Sequence, residues 1–428
     1  MSKNLFDGWT FQSYYGGRRR LRNQRSHSAL FIQNLELDDS RYIKNFQLQP
    51  YTNYIATVHV VAENIKVQEG PEHTHIGVNL SLMDSWIHSS DFNDGVGDNI
   101  EGDLTLKFQT NDTGKVTIAL RLGFYCSEAT GSATFQNFQL KEDDSRIILG
   151  TSQIRLNVSG EELQELPSIL DHCELFLTRM ETAYNTMSEL YNKYPFDHKV
   201  IFYETRPGIR AWAFAGNPIV WNSRCFIDYF RQLDEKPDRW ADKQRQKQQN
   251  KNKNFLNANL AAQNQGGTIY DPDFFDNACF GTIHEMGHNF DMSGFGRINH
   301  ELGANFNLCY AVEANNFPIY FDDELTFGRG LQDGFYRRVY EKTIGNKEKR
   351  CYNHDALLYC LLRIKDRVGW DPYKRVFARY AVNNPPGDLN HQKLLELLIN
   401  ELSREARFDV RQTFPEGELE FIMKQDHF

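Results

Sequence analysis

A chain of 428 residues with 57 acidic and 48 basic side chains carries a net charge of −9, which argues against nucleic acid as its main partner. Its residues are 40% hydrophobic and 13% aromatic, enough for real cores, and the length calls for about two or three domains rather than one. No apolar run approaches the roughly 20 residues of a membrane span, so no transmembrane segment is expected.

The N-terminal stretch Met1-Ser2-Lys3-Asn4-Leu5-Phe6-Asp7-Gly8 has no apolar signal segment, so the chain reads as cytosolic, exported by another route, or stripped of a leader. Residues 1–145 then show short runs of alternating apolar and polar residues: Tyr54–Val61, Leu104–Phe108 and Val116–Leu122. Turn signals such as Asn111-Asp112-Thr113-Gly114 separate them. This pattern predicts an antiparallel β-sandwich. His73 and His75 would share a face of a strand and form a second metal site, but Glu69-Gly70-Pro71-Glu72 reads as a turn and favours a solvated loop. Arg18, Arg19, Arg20, Arg22 and Arg25 read as a solvated loop, with contact to an anionic glycan as the alternative. Seven scattered cysteines, odd in number, imply no disulfide framework and read mostly as core. Asn79, Asn111 and Asn157 head glycosylation sequons that matter only on a secretory route.

The boundary falls near 141–160, at the charged break Lys141-Glu142-Asp143-Asp144-Ser145, and mixed strands are expected over 147–222, the first at Ile147–Leu156. Ser159-Gly160-Glu161-Glu162 opens a helical stretch to about Tyr194, with Pro167 marking a fresh start. In it Leu170, Leu175, Phe176 and Met180 fall towards one side. Val200-Ile201-Phe202-Tyr203 reads as a strand, and Trp212–Trp221 follows as an edge strand or, alternatively, an interior one. The basic, amide-rich part of 233–266, from Asp242 to Lys253, reads as a solvated face, with a lid over a cleft as the functional alternative.

Next comes His284-Glu285-Met286-Gly287-His288. Phe275, Cys279, Ile283 and Met286 recur at helical spacing, Asp271-Pro272-Asp273 offers a start, and Gly294 and Gly296 a stop. Residues four apart share a helix face, so both imidazoles can reach one metal ion, with Glu285 beside them to deprotonate a water. Two ordinary histidines on a helix are the bland alternative, which the intervening Glu disfavours. A catalytic zinc site needs a third protein ligand. A metzincin would carry Gly and His three and six residues after His288; Asp291 and Gly294 stand there, which excludes that class. The next candidate is Glu301, on a second helix from Ile298 to Val312 that folds back across the turn 293–297. Asn305 lies one turn along, placed to hold a ligand from behind. Asp291 and His300 remain rivals, the latter pointing about 100° from Glu301 on a helix. Zinc helices are thus expected over 274–312 and a helical C-terminal part over 330–428. Tyr310 or Tyr270 would stabilise an oxyanion.

The stretch Phe280-Gly281-Thr282-Ile283-His284-Glu285-Met286-Gly287-His288-Asn289, with Glu301 and Asn305 downstream, resembles the enhancin-like (viral enhancing factor, mucin-degrading) gluzincin peptidases. Arg210–Val220 resembles that family's strand with a Gly-Tyr-Pro-Ile segment, although Asn217 stands where an aromatic is expected and Ala213-Phe214 where a His is common. Leu357–Leu362 and Gly369-Trp370-Asp371-Pro372-Tyr373 also fit, so the resemblance covers about 150–400. It implies an α+β, mostly helical zincin-type catalytic domain over 146–428. One zinc ion would be held by His284, His288 and Glu301, with Glu285 as general base. Trp212, Phe214, Gly216 and Asn217 would contact substrate along an edge strand that binds extended peptide. The implied activity is zinc-dependent endopeptidase action on glycosylated, mucin-like proteins. A binding or regulatory protein on a peptidase scaffold is the alternative. The opening Asn4–Trp9 and closing Gly131–Leu140 of the first segment resemble carbohydrate-binding jelly-roll modules. Glycan then becomes a partner of that segment, with Trp86, Trp9, Tyr14 and Tyr15 as candidate platforms, and core packing or a spacer role as the alternative. The peptidase family points outward, to mucus or a cell surface.

Overall fold

The computed structural model describes residues 6–425 apart from 17, 71–72, 84, 86, 167–168, 198–199, 207–211, 236–277, 292–294 and 322–323. The chain divides into two compact units, Met1–Arg146 and Ile147–Phe428.

The first unit is built from two antiparallel sheets. One runs β1 (Thr10–Ser13), β4 (Ser40–Gln47), β8 (Lys115–Leu122), β6 (Val78–Leu82). The other runs β2 (Leu21–Arg25), β3 (Ala29–Asp38), β9 (Ala129–Glu142), β5 (Asn53–Val67), β7 (Gly97–Gln109). Side chains alternate across a pleated strand, so Tyr54, Ala56, Val58, Val60 and Ala62 of β5 all point one way. They meet Leu104, Leu106 and Phe108 of β7 and the facing row Tyr42, Leu120 and Leu80 in a single core. The turn between β7 and β8 closes where Gly114 N–H donates to Asn111 O at 3.2 Å, with Gly114 at φ +65°, a conformation that favours glycine.

Several expectations for this unit change. Trp9 is a core residue, 1% exposed, with its ring against Phe46 and Phe138. Tyr15 is tied through its hydroxyl to Glu128 at 2.5 Å, with Arg19 over its ring. Tyr14 is 68% exposed, and Trp86 lies outside the described residues. The His73–His75 stretch is not a strand, and the His73 ring bonds the Cys126 carbonyl at 2.8 Å. Three of the five arginines are engaged: Arg20 with Glu36, Arg25 with Asp7 and the Trp9 carbonyl, and Arg19 with Tyr15. Asn79 and Asn157 are fully buried, so this fold leaves no room for a glycan on either.

The second unit opens with a five-stranded sheet ordered β10 (Arg146–Gly150), β11 (Ile154–Ser159), β12 (Ile201–Arg206), β14 (Ile219–Asn222), β13 (Ala213–Phe214). The region expected as one strand at 147–156 is therefore two, and the Trp212–Trp221 stretch supplies both the edge β13 and the interior β14. Ser159 and Glu162 form the reciprocal capping box of α1 (Gly160–Glu165). In α2 (Ile169–Tyr191) the buried stripe is Ile169, Cys173, Phe176, Leu177, Met180, Ala183, Tyr184 and Met187. Leu170 and Leu175 face out at 53% and 60% exposure, a shift of phase from the expected stripe. Pro167 lies outside the described residues.

After α3 (Ser223–Glu235) come α4 (Ala278–Asn289) and α5 (His300–Asn315), which carry the histidine motif and Glu301. The polar segment from 236 on and the expected start of the motif helix at 271–277 lie outside the described residues. Helix α5 begins at His300, two residues later than expected, because the Asn299 side chain caps it by accepting from Leu302 N–H. Every residue from Leu302 to Val312 is buried, so α5 is the central helix of the unit. Packed against it are α2, α4, α7 (His354–Val368) and α8 (Asp371–Val382), while α6 (Arg337–Lys342), α9 (His391–Ala406) and α10 (Glu418–Met423) complete the helical part. Among the described residues no helix is long and apolar enough to cross a membrane.

One buried ion pair sets a stability test. Arg121 of β8 has no solvent exposure, bonds Asp39 through Nε and Nη2, and lies over the rings of Phe124 and Tyr125. Arg41 also reaches Asp39, at 2.8 Å. Removing one partner of a buried pair strands the other, so Asp39→Ala should destabilise the unit by about 3–5 kcal/mol in denaturant unfolding. A loss under about 1 kcal/mol would mean that Arg121 is not held as described.

Candidate metal centre

His284 and His288 sit one turn apart on α4 with their rings 4.7 Å apart and nearly perpendicular, and their Nε2 atoms 3.1 Å apart. Glu301 Oε2 lies 3.1 Å from His284 Nε2 and Oε1 lies 3.8 Å from His288 Nε2. Among the described residues this is the one group of His, Cys, Asp or Glu able to hold a metal ion, its ligand atoms all within 4.8 Å of one another. Two nitrogens bound tetrahedrally to one zinc stand about 3.3 Å apart, so the donor set fits.

Packing explains the convergence. A Cβ on Gly287 would lie 2.5 Å from the Ala304 carbonyl, so α4 and α5 approach at a distance that only glycine permits. Asn307 Nδ2 donates to the Gly287 carbonyl at 2.9 Å, and Tyr191 holds Asn307 in turn. With the two helices registered this way, Asn305 Oδ1 accepts from His284 Nδ1 at 2.8 Å. That places a proton on Nδ1 and makes Nε2 the nitrogen that faces Glu301 and His288.

Electrostatics point the same way. The hydrogen bond from His284 holds Glu301 down to about 2. Burial, the largest influence on His284, lowers its pKa, but the Glu301 hydrogen bond and the charges of Glu285 and Glu301 outweigh it and the net shift is upward. Burial and the charge of His284 push His288 down to about 4. The cluster therefore attracts one positive charge and presents a second, neutral imidazole. Burial also raises Glu285, against the opposing pull of His284 and of a hydrogen bond from the Ala215 backbone N–H.

These groups open onto a cleft of about 480 Å³ that Ala213, Phe214 and Ala215 line together with Glu285, Asp291, His300 and the three ligand candidates. Asp291 and His300 stay outside the converging group. Asp291 closes the turn after α4 by accepting from Gly296 N–H at 2.7 Å. Of the residues expected to touch substrate, Phe214 lines the cleft and is 52% exposed. Trp212 instead packs on Trp221 and across Gly281, where a Cβ would meet its ring at 2.3 Å. Gly216 is bonded through both backbone groups to Asn289, and Asn217 Nδ2 donates to the Val200 carbonyl. Tyr310 is buried, with its ring on Trp370 and the Lys374 ammonium over it at 5.4 Å, and it is not among the residues that line the cleft. Tyr270 lies outside the described residues. The sequence reading missed His354 and Asp355 at the start of α7, whose charges act on Glu301 and His284. Only Asn353, a capping residue, marked that spot in the chain.

No protein-family model matches the chain, and no curated protein matches it. Solved structures give distant likenesses. A functionally unknown conserved protein from Bacillus anthracis str. Ames is 12% identical over 89% of this chain and 78% of its own, with a TM-score of 0.42. A metallopeptidase in complex with Tn antigen is 10% identical over 85% of this chain and 64% of its own, with a TM-score of 0.39. A metallopeptidase from Bacteroides thetaiotaomicron is 10% identical over 84% of this chain and 57% of its own, with a TM-score of 0.36. The chain spans less than two thirds of either metallopeptidase, and likenesses this loose do not carry a function across.

Loss of the group behind a ligand weakens the site without removing a donor. Asn305→Ala should lower zinc affinity by about 10–100-fold in a competition titration, with the helices still folded. Unchanged affinity would show that Asn305 does not orient His284.

Proposed function

We propose that the second unit is a zinc-dependent endopeptidase of the gluzincin type, enhancin-like in its motif, with His284, His288 and Glu301 as ligands and Glu285 as general base. The observation that carries this reading is the convergence of two imidazole nitrogens and a carboxylate on one point, beside a half-buried carboxyl in the lining of an open cleft. When bound there, zinc supplies a Lewis acid that polarises the scissile carbonyl and makes water acidic near neutral pH. Glu285 takes the proton of the attacking water on its carboxylate and returns it to the leaving amine, and its raised pKa suits both transfers. Strand β13 is the sheet edge beside the cleft and is positioned to receive an extended peptide. The exposed Phe214 offers that peptide an apolar face.

The substrate class follows from the first unit. Its sandwich reads as a jelly-roll glycan-binding module in which Tyr14, stacked edge-on against Tyr15, is the exposed aromatic platform. The preferred substrate is then a glycosylated, mucin-like protein. An intact Glu285 favours turnover over a purely binding role, because binding alone has no use for a base.

Glu285→Gln should keep its zinc by metal analysis and lose about 10²–10⁴-fold in cleavage of a mucin-type glycoprotein, whereas Glu301→Ala should lose the metal. Wild-type cleavage in Glu285→Gln would sink the mechanism. Tyr14→Ala should weaken retention on immobilised mucin glycans while zinc content and cleavage of unglycosylated peptides stay unchanged. Cleavage that ignores enzymatic deglycosylation of the substrate would remove the glycan part and leave the peptidase.

A further inference from the structure

Asn289, directly after the second histidine of the motif, is 9% exposed and turns its amide onto a single backbone residue. Its Oδ1 accepts from Gly216 N–H at 2.8 Å and its Nδ2 donates to the Gly216 carbonyl at 2.7 Å. An amide used in this way reproduces one rung of a strand ladder, acceptor to donor and donor to acceptor. Gly216 has φ +135°, a conformation closed to ordinary side chains, so the backbone is shaped for the contact. One residue earlier, the Ala215 backbone N–H acts on the carboxyl of Glu285, and both residues line the cleft. Glu285 and Asn289 are four apart and share a face of α4. Two side chains of one helix face thus meet two consecutive residues, 215 and 216, and Asn289 holds the second of them by both backbone groups. The sheet holds β13 through the pairs Ala213↔Trp221 and Phe214↔Val220, with Asn222 N–H donating to the Trp212 carbonyl just before them.

We propose that Asn289 is a positioning residue that fixes the edge strand of the cleft in register with Glu285. A peptide laid along β13 then brings its scissile bond to the base rather than past it. The inference rests on the peptidase reading above and assigns Asn289 no contact with substrate. Without the clamp, β13 keeps its two-pair ladder but the stretch 215–217 is no longer tied to the helix that carries the chemistry.

The test compares zinc-loaded full-length wild type, Asn289→Ala and Asn289→Asp. Asn289→Asp keeps the acceptor for Gly216 N–H and removes the donor to its carbonyl. Amide hydrogen exchange at 213–218, zinc content, unfolding temperature and kinetics on a mucin-type glycopeptide are measured together. In Asn289→Ala, exchange at Ala215 and Gly216 should rise by about tenfold, as loss of one hydrogen bond implies. Turnover per bound zinc should fall on the order of 10²-fold with KM little changed, the signature of a misplaced substrate. Asn289→Asp should restore protection at Gly216 and part of the turnover, and it carries the test if Asn289→Ala does not fold. A purely structural role would lower yield and unfolding temperature but leave turnover per zinc at the wild-type value, and that result overturns the proposal. Unchanged exchange at 215 and 216 overturns it as well. If wild type cleaves no substrate, the peptidase reading fails separately. Exchange protection that depends on Asn289 would then still support the clamp, and its absence would overturn it.

Discussion

The contact on which the site depends is the close approach of two helices at Gly287. With no side chain there, the backbone of α4 lies against the Ala304 carbonyl of α5, and any Cβ would open the pair. The spacing is what lets a residue near the N-terminus of one helix meet two residues one turn apart on the other. Asn307 bonds across the same seam, and Asn305 reaches His284 from one turn away. Moving the helices apart by the width of a methyl group would separate the imidazoles from Glu301 and break the hydrogen bond that orients His284. The apolar packing of α5 therefore acts directly on the polar geometry, because buried helices cannot slide without opening voids.

The far end of α5 is secured by a different kind of interaction. Glu313 accepts from Lys365 at 2.7 and 3.0 Å, while Gln332 bonds both and Trp370 Nε1 points at the same carboxylate at 3.4 Å. Lys365 is almost fully buried, so the pair is costly to break although it adds little net stability. Its effect is to hold α5 against α7 and α8 in one arrangement. At the near end, two ring nitrogens facing each other at 3.1 Å need a positive charge between them, which a metal ion or a proton can supply.

The cleft joins this rigid pair to a thinner element. Strand β13 is short, lies at a sheet edge, and owes its place to side chains from α4 as much as to the sheet. The Asn after the second histidine thus shapes the edge of the cleft, its amide spent on the backbone of Gly216. Trp212 shows the complementary case: a large aromatic beside the site whose ring fills the space left by Gly281 instead of facing substrate.

Short-range periodicity made much of this protein legible. The helical repeat alone places His284 and His288 on one face with Glu285 beside them, and the two-residue repeat alone marks β5, β7 and β8. Both patterns are local, so a residue and its neighbours in the chain suffice to read them. What the tertiary structure decided is which distant residue completes each local pattern. Glu301, preferred in the sequence over Asp291 and His300 as a candidate third ligand, meets the two histidines only because α5 folds back, while Asp291 turns to its own loop. The phase of α2 was missed because Leu170 and Leu175 are as apolar as the buried stripe, and only the neighbouring sheet and helices determine which side is covered. Asp355 and the Ala215 N–H could not be found in the sequence, since one lies on another helix and the other is a backbone group with no letter of its own. The sequence by itself determined the chemistry available at the motif; packing across long separations determined which groups that chemistry meets.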